Sequence, residues 1–284
     1  MNKKIFTILG AVFALILGGI ILFSSRESEL RGLRIHVFDA GKADAILISN
    51  ETEGERHYVL IDTGESNLFP TIQKYFEKEG IEKLDALIIS HFDKDHVGSA
   101  GEIIRNFQVS QVFQTNTTKD SDEVEAFLAA IKEKGNTPET IADENSVKGL
   151  RIGEMEFLIQ GPEKNYKRKE SNNSSLIVKL KYKNTSYLFM GDAETERLED
   201  FLETELGNGT YDFLKVPYHG HFQENLEELI KEIQPKYAVI TSSFKELEDK
   251  ETRRLLEGVG AKVYLARQGS IDVFSDGEKI EIRQ

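Results

Sequence analysis

Residues 84–98 read LDALIISHFDKDHVG. Leu84, Ala86, Leu87, Ile88 and Ile89 form a short apolar run, the pattern of a strand buried on both faces. The run leads straight into His91, and Asp93, Asp95 and His96 follow on the same loop before Gly98 and a helical pattern. Loops at the ends of buried strands are where binding and catalytic groups gather. Imidazole and carboxylate in this mixture suit Zn²⁺, Mn²⁺ or Fe²⁺. A charged surface turn would not need two histidines and two aspartates fed by a buried strand.

Two more strand ends offer the same chemistry. LFMGDAE (188–194) places Asp192 just after an apolar run and Gly191. LKVPYHGH (214–221) places His219 after another run, between Tyr218 and Gly220. In each, a glycine lets the backbone come close to the site. Asp39 and Asp62 also follow strand patterns. Each is either a residue that orients a ligating histidine or a plain turn aspartate, and the sequence does not decide between these. His36 and His57 read as packed or surface histidines.

The rest of the chain alternates strand and helix. Strands are expected at 34–39, 45–49, 58–62, 84–90 and 109–114, with helices at 68–79, 98–107 and 123–134. The second half repeats the style. Its strands fall near 150–159, 175–182, 186–190, 211–216, 236–242, 262–265, 270–274 and 279–283, and its helices at 194–206, 223–233 and 250–258. Two βα-rich halves predict an α/β architecture, a sandwich of two sheets with helices outside. No repeat or Pro/Gly/Ser linker divides the chain, so residues 26–284 read as one domain. The charged stretch 163–170 reads as a solvated loop, or as a phosphate contact through Lys164, Lys167, Arg168 or Lys169.

Composition narrows the chemistry. The 284 residues contain no Cys, which excludes a disulfide scaffold, a thiolate metal site and a cysteine nucleophile. A formal charge of −13 argues against coating nucleic acid through the overall field. Residues 1–25 stand apart. Lys3 and Lys4 precede an uncharged apolar stretch, residues 5–23, followed at once by polar residues. That length approaches the roughly 20 residues needed to span a bilayer. No small-residue cleavage site closes it, so an uncleaved signal anchor is expected, with secretion after cleavage as the alternative. Either reading places the rest of the chain outside the cytoplasm. No feature identifies a protein partner.

The set His91-Phe-Asp93-Lys-Asp95-His96, Asp192 and His219 resembles the metallo-β-lactamase fold superfamily. Together with DAGKADAILIS (39–49), VLIDTGE (59–65), NNSSLIVKL (172–180) and YDFLKVPYHG (211–220), it is similar to the extracellular metallo-hydrolase domain of ComEC-type competence proteins and their stand-alone relatives. The similarity runs from about residue 33 to the end. It implies a four-layer αββα sandwich with one or two divalent ions, Zn²⁺ or Mn²⁺, at one edge. One ion would take His91 and Asp93. The other would take Asp95, His96 and His219, with Asp192 bridging. There are departures. Asp93 stands where the superfamily usually has histidine, and residues 171–175 (SNNSS) stand where a further histidine is usual. The site is therefore richer in oxygen, which favours Mn²⁺. His221 is an alternative to His219, or a proton donor beside the substrate.

A divalent ion with open positions makes hydroxide available near neutral pH. No G-x-S-x-G elbow, dinucleotide fingerprint or phosphate-binding P-loop competes with this reading. The expectation is a metal-dependent hydrolase with Asp95 and His221 as catalytic residues, acting on a phosphodiester: single-stranded DNA or a small diester. Carboxylic-ester or lactone hydrolysis is the alternative, as is a membrane-anchored binding protein with a degenerate site. A nuclease should gather Lys42, Lys215 and the lysines of 164–169 on one face. A small-substrate enzyme should show walls of Phe92, Tyr218 and Phe222.

Overall fold

A computed structural model of the chain describes residues 32–284 except 118, 144, 145, 165 and 167. The expected membrane segment, residues 5–23, lies outside the described residues. Among the described residues no helix is long and apolar enough to cross a membrane.

The strands, in chain order, are β1 Leu33–Val37, β2 Ala45–Thr52, β3 Glu55–Thr63, β4 Lys83–Ile89, β5 Gln108–Gln114, β6 Glu139–Thr140, β7 Val147–Ile152, β8 Met155–Gln160, β9 Ile177–Tyr182, β10 Thr185–Phe189, β11 Phe213–Lys215, β12 Tyr237–Ile240, β13 Lys262–Leu265, β14 Ile271–Ser275 and β15 Ile280–Arg283. They form two sheets. The first runs β15-β14-β1-β2-β3-β4-β5-β6 and the second β13-β12-β11-β10-β9-β8-β7. The helices are α1 Phe69–Glu79, α2 Lys94–Val97, α3 Ala100–Asn106, α4 Asp122–Lys134, α5 Thr195–Leu202, α6 Leu226–Ile233 and α7 Lys250–Gly258.

Side-chain periodicity sets the layers. Along β4, Leu84, Leu87 and Ile89 pack with the helices α1, α3 and α4, whereas Ala86 and Ile88 face the second sheet. Both faces are therefore apolar, which explains the unbroken run in the sequence. On the second sheet, Val178, Leu180 and Tyr182 of β9 point between the sheets, while Lys179 and Lys181 alternate with them. The outer face of that sheet is covered by α5, α6 and α7. Helix α6 shows the driving force: Leu226, Leu229, Ile230 and Ile233 form one buried stripe. Each such side chain contributes about 1.5–3 kcal/mol on full burial. The result is the expected helix-sheet-sheet-helix sandwich.

Three boundaries differ from the sequence pattern. The helix expected at 98–107 is α3, 100–106, and a separate short helix, α2, stands before it, with Ser99 between them. Ser99 leaves helical geometry there (φ −95°, ψ 2°), and its hydroxyl donates to the Glu65 carbonyl at 2.6 Å. The helix expected from 194 to 206 stops at Leu202, where Thr204 Oγ1 donates to the Phe201 carbonyl at 2.7 Å and turns the chain. Helix α6 starts late because Asn225 is left-handed (φ 66°). The two halves are also interleaved. β14, from the end of the chain, pairs antiparallel with β1, Val37 opposite Ile271. The C-terminal strands thus complete the first sheet.

Candidate metal centre

Four strand ends converge at one edge of the sandwich. β3 delivers Asp62, β4 leads to His91 and then to α2 with Asp95 and His96, β10 leads to Asp192, and β11 leads to His219. β3 and β4 run parallel, as do β10 and β11, so their carboxyl ends open on the same edge.

Of the expected ligands, Asp95, His96, Asp192 and His219 come together. Their ligand atoms all lie within 4.8 Å of one another. His96 Nε2 is 3.3 Å from one Asp192 oxygen and His219 Nε2 is 3.1 Å from the other. These are ion-pair distances without hydrogen-bond geometry. The Nε2 atoms of His91, His96 and His219 and Oδ1 of Asp192 are buried with no hydrogen-bond partner among the described residues. Leaving a buried polar atom unsatisfied costs about 1–3 kcal/mol. Three such atoms, on His96, His219 and Asp192, within one four-residue group match a cradle for a cation, and the two imidazoles with two carboxylates of that group fit Zn²⁺ or Mn²⁺.

The other expected residues lie around this group. The His91 ring is 4.1 Å from that of His96, centroid to centroid, and its Nδ1 is 3.1 Å from Ser90 Oγ. Asp93 is paired with Lys119 at 2.8 Å and accepts from Ser171 Oγ at 2.6 Å. His221 is not among the four; its Nδ1 is 3.8 Å from Asp249 and its ring centroid 5.2 Å from that of Tyr218. Asp62 orients a ligand, with Oδ2 2.8 Å from His96 Nδ1 and both oxygens bonded by Ser90. Asp39 is an exposed turn residue whose N–H donates to Ser270 Oγ. His36 stacks on Tyr75 and bonds Asp272, and His57 lies 3.5 Å from Asp85.

A buried network beneath the cluster was not foreseen. Asp44 accepts from Thr241 Oγ1 at 2.7 Å, and Thr241 Oγ1 lies 3.0 Å from His219 Nδ1. Lys215 Nζ pairs with Asp44, donates to the Gly191 carbonyl at 2.9 Å and lies 3.7 Å from Asp192. Lys215 is fully buried, so it cannot belong to a basic surface groove. Its signal was present: a lone lysine inside the apolar run FLKV needs a buried partner. Lys164, by contrast, is exposed and pairs with Asp200 at 2.5 Å. Phe92 is a core residue against Phe127, not a pocket wall.

The backbone is strained where it presents these groups. Asp62, Tyr218 and His219 are left-handed (φ 55°, 48° and 51°). Non-glycine residues hold such geometry at a cost of about 1–3 kcal/mol each, usually at functional sites. Gly220 follows at φ 84°, and a Cβ there would meet Glu248 Cβ and Ile240 Cγ2 at 2.8 Å.

The charges are mutually dependent. Burial disfavours the charged form of His96, yet Asp192 and Asp62 raise its pKa well above the usual value. His219 is raised in the same way, against burial, by Asp192 and Asp95. Burial and the neighbouring His96 push His91 down to about 4. Asp192 opposes its own burial through His219 and His96 and is held far below the carboxylate range. Two buried histidines whose charged forms are favoured by aspartates mark a place that favours positive charge.

Above the cluster opens a cleft of about 440 Å³. Asp93, Asp95 and Asp192 form its floor, and Lys42, Lys94, Lys119 and Tyr218 stand on its walls. Lys42 lies 3.9 Å from both Asp95 and Glu246 and over the Tyr218 ring. Phe222 is exposed, and Tyr218 is the aromatic wall.

Comparison with known proteins agrees with this geometry. The family model of the metallo-beta-lactamase superfamily matches residues 39–242. The chain is 29% identical over 227 residues, 73% of its length, to ComE operon protein 3 of Bacillus subtilis. It is 26% identical over 246 residues, 85% of its length, to Recombination protein 2 of Haemophilus influenzae. It spans only 28% of each of these longer proteins. Among solved structures, the metallo-beta-lactamase fold protein YhfI of Bacillus subtilis superposes with a TM-score of 0.55 at 12% identity, covering 89% of this chain and all of that one. A mutant of the beta-hydroxylase CmlA gives 0.57 at 13%, covering 86% of this chain and 54% of its own. With the family model covering most of the chain and the buried ligand cluster at the sheet edge, the protein belongs to the metallo-beta-lactamase superfamily of metal-dependent hydrolases and is ComEC-like within it.

Proposed function

We propose that the protein is a metal-dependent phosphodiesterase. One observation carries this: Asp95, His96, Asp192 and His219 converge, with orphaned buried nitrogens, and two of them, Asp95 and Asp192, line a cleft walled by three lysines. A bound divalent ion would lower the pKa of a water and polarise a phosphoryl oxygen. The chain's own residues do the rest. Asp62 fixes the His96 ring so that Nε2 faces Asp192, and Thr241, held by Asp44, does the same for His219. Lys42, Lys94 and Lys119 attract a phosphate into the cleft. Tyr218 reaches the cleft wall, so we assign contact with the leaving oxygen to its phenol rather than to His221, which faces Asp249.

Glu65, Glu123 and Glu246 share the rim, and the chain carries a net charge of −13. That favours single-stranded DNA or a small diester over duplex. The similarity to competence-related proteins supports DNA as the class. The apolar residues 5–23 support a location outside the cytoplasm, anchored to the membrane.

The test is turnover by the purified full chain of bis-p-nitrophenyl phosphate and single-stranded DNA, with Mn²⁺, Zn²⁺ or chelator. Metal-dependent cleavage of either, abolished in His96→Ala, is expected. Cleavage of carboxylic esters or lactones without diester turnover would replace the reading.

A further inference from the structure

The two sides of the cleft are not equivalent. One side holds the four converging ligands. The other holds His91 and Asp93, which the four-residue cluster leaves out. Asp93 is engaged on both oxygens: Oδ2 pairs with Lys119 Nζ at 2.8 Å and Oδ1 accepts from Ser171 Oγ at 2.6 Å. Its backbone carbonyl is taken too, by the N–H groups of His96 and Val97. His91 alone on that side offers an unpartnered atom, Nε2, since Ser90 and Ser175 lie at its Nδ1. Ser175 Oγ also accepts the Asp192 N–H at 3.1 Å, so the neighbouring segment contributes hydroxyls to positioning. A divalent ion needs at least three protein ligands to be held firmly. This side offers one imidazole nitrogen and a share of Asp192.

We infer that the site is built for one divalent ion, at Asp95, His96, Asp192 and His219, and that the Lys119 ammonium, docked on Asp93, is the fixed second cation that keeps another ion out. This rests on the proposed metal-dependent reading of the same site. Lys119 stands on the wall of the same cleft, so its charge remains available to a phosphate oxygen. An ammonium is a point charge that needs no bidentate geometry, which suits a clamp on a phosphoryl group. Removing it frees the Asp93 carboxylate to turn toward His91 and Asp192, and three ligands would then be available.

The experiment counts metal and does not depend on turnover. The purified full chain is dialysed against Mn²⁺ or Zn²⁺, and ions per chain are read by elemental analysis and native mass spectrometry. The wild type is expected to hold one ion, His91→Ala one, and His96→Ala none. Lys119→Ala and Lys119→Gln are expected to hold two. Lys119 is partly exposed, so its variants should fold, and their circular dichroism spectra verify it. Two ions in the wild type would overturn the inference. One ion in both wild type and the Lys119 variants would also overturn it, because Lys119 would then not be what excludes the second. Absence of phosphodiester turnover with one ion bound would count against the proposed substrate and leave this inference standing.

Discussion

The carboxylate of Asp62 lies 2.8 Å from Nδ1 of His96, and both side chains are completely buried. A carboxylate accepts only, so Nδ1 carries a proton and Nε2, which faces Asp192, is the nitrogen left to bind a metal ion. Asp62 reaches this position from a left-handed backbone at the end of β3, and Ser90 bonds both of its oxygens. Replacing Asp62 with Ala should therefore lower affinity for Mn²⁺ or Zn²⁺ by about 10–100-fold, the usual effect of losing a partner that orients a ligating histidine. Competition with a chelating indicator measures this. Unchanged affinity would mean that Asp62 serves the fold and not the ligand.

The buried pair Asp44–Lys215 makes a different prediction. Removing one member of a fully buried ion pair strands the other and costs about 3–5 kcal/mol. Lys215→Met should show that loss in urea denaturation. Combining it with Asp44→Asn should recover part of the loss, because the stranded charge is gone. Recovery stays incomplete, since Met cannot donate to the Gly191 carbonyl as Lys215 does. Additive losses would show that the two residues act separately.

Gly220 allows the turn that presents His219. Gly220→Ala would place a Cβ 2.8 Å from Glu248 Cβ and Ile240 Cγ2 in a backbone that resists side chains. A loss of about 1–3 kcal/mol is expected. Metal affinity should fall with it, because relief of the clash moves the adjacent ligand. Thermal unfolding and metal titration of the same preparation test the coupling. A destabilised variant with intact affinity would separate the turn from the site.

Much of this arrangement is legible in the sequence because strands and ligands are local signals. The run LDALIIS followed by HFDKDH specifies a buried strand and its loop, and Asp192 and His219 stand directly after their strands. Local pattern does not reveal what pairs across the sandwich. Asp44 and Lys215 are far apart in sequence and meet only because β2 and β11 open on the same edge. The return of β14 to β1 is equally non-local. Asp93 and His91 look like ligands equivalent to the others. Only the position of Lys119, from a loop after β5, shows how differently Asp93 is engaged. His221 differs from His219 by one turn of the chain, and spacing alone cannot say which faces inward.

Glu248 gives the pH dependence a defined sign. Its side chain is 3% exposed; it pairs in two places with Arg267 and accepts from Ser242 Oγ at 2.7 Å. Burial raises its pKa, but the bonds from Arg267 and Ser242 outweigh this and hold it below the ordinary value. A group whose folded pKa is lowered contributes stability above its unfolded pKa, about 4.3 for Glu. That contribution is lost as pH falls through the folded value. Wild-type urea midpoints should thus decline on acidification from about pH 6 toward pH 4 and below. In Glu248→Gln the protein should be less stable near neutrality, and the decline should be shallower, because this carboxylate no longer takes up a proton on unfolding. Parallel curves for wild type and variant would assign the acid sensitivity to other carboxylates.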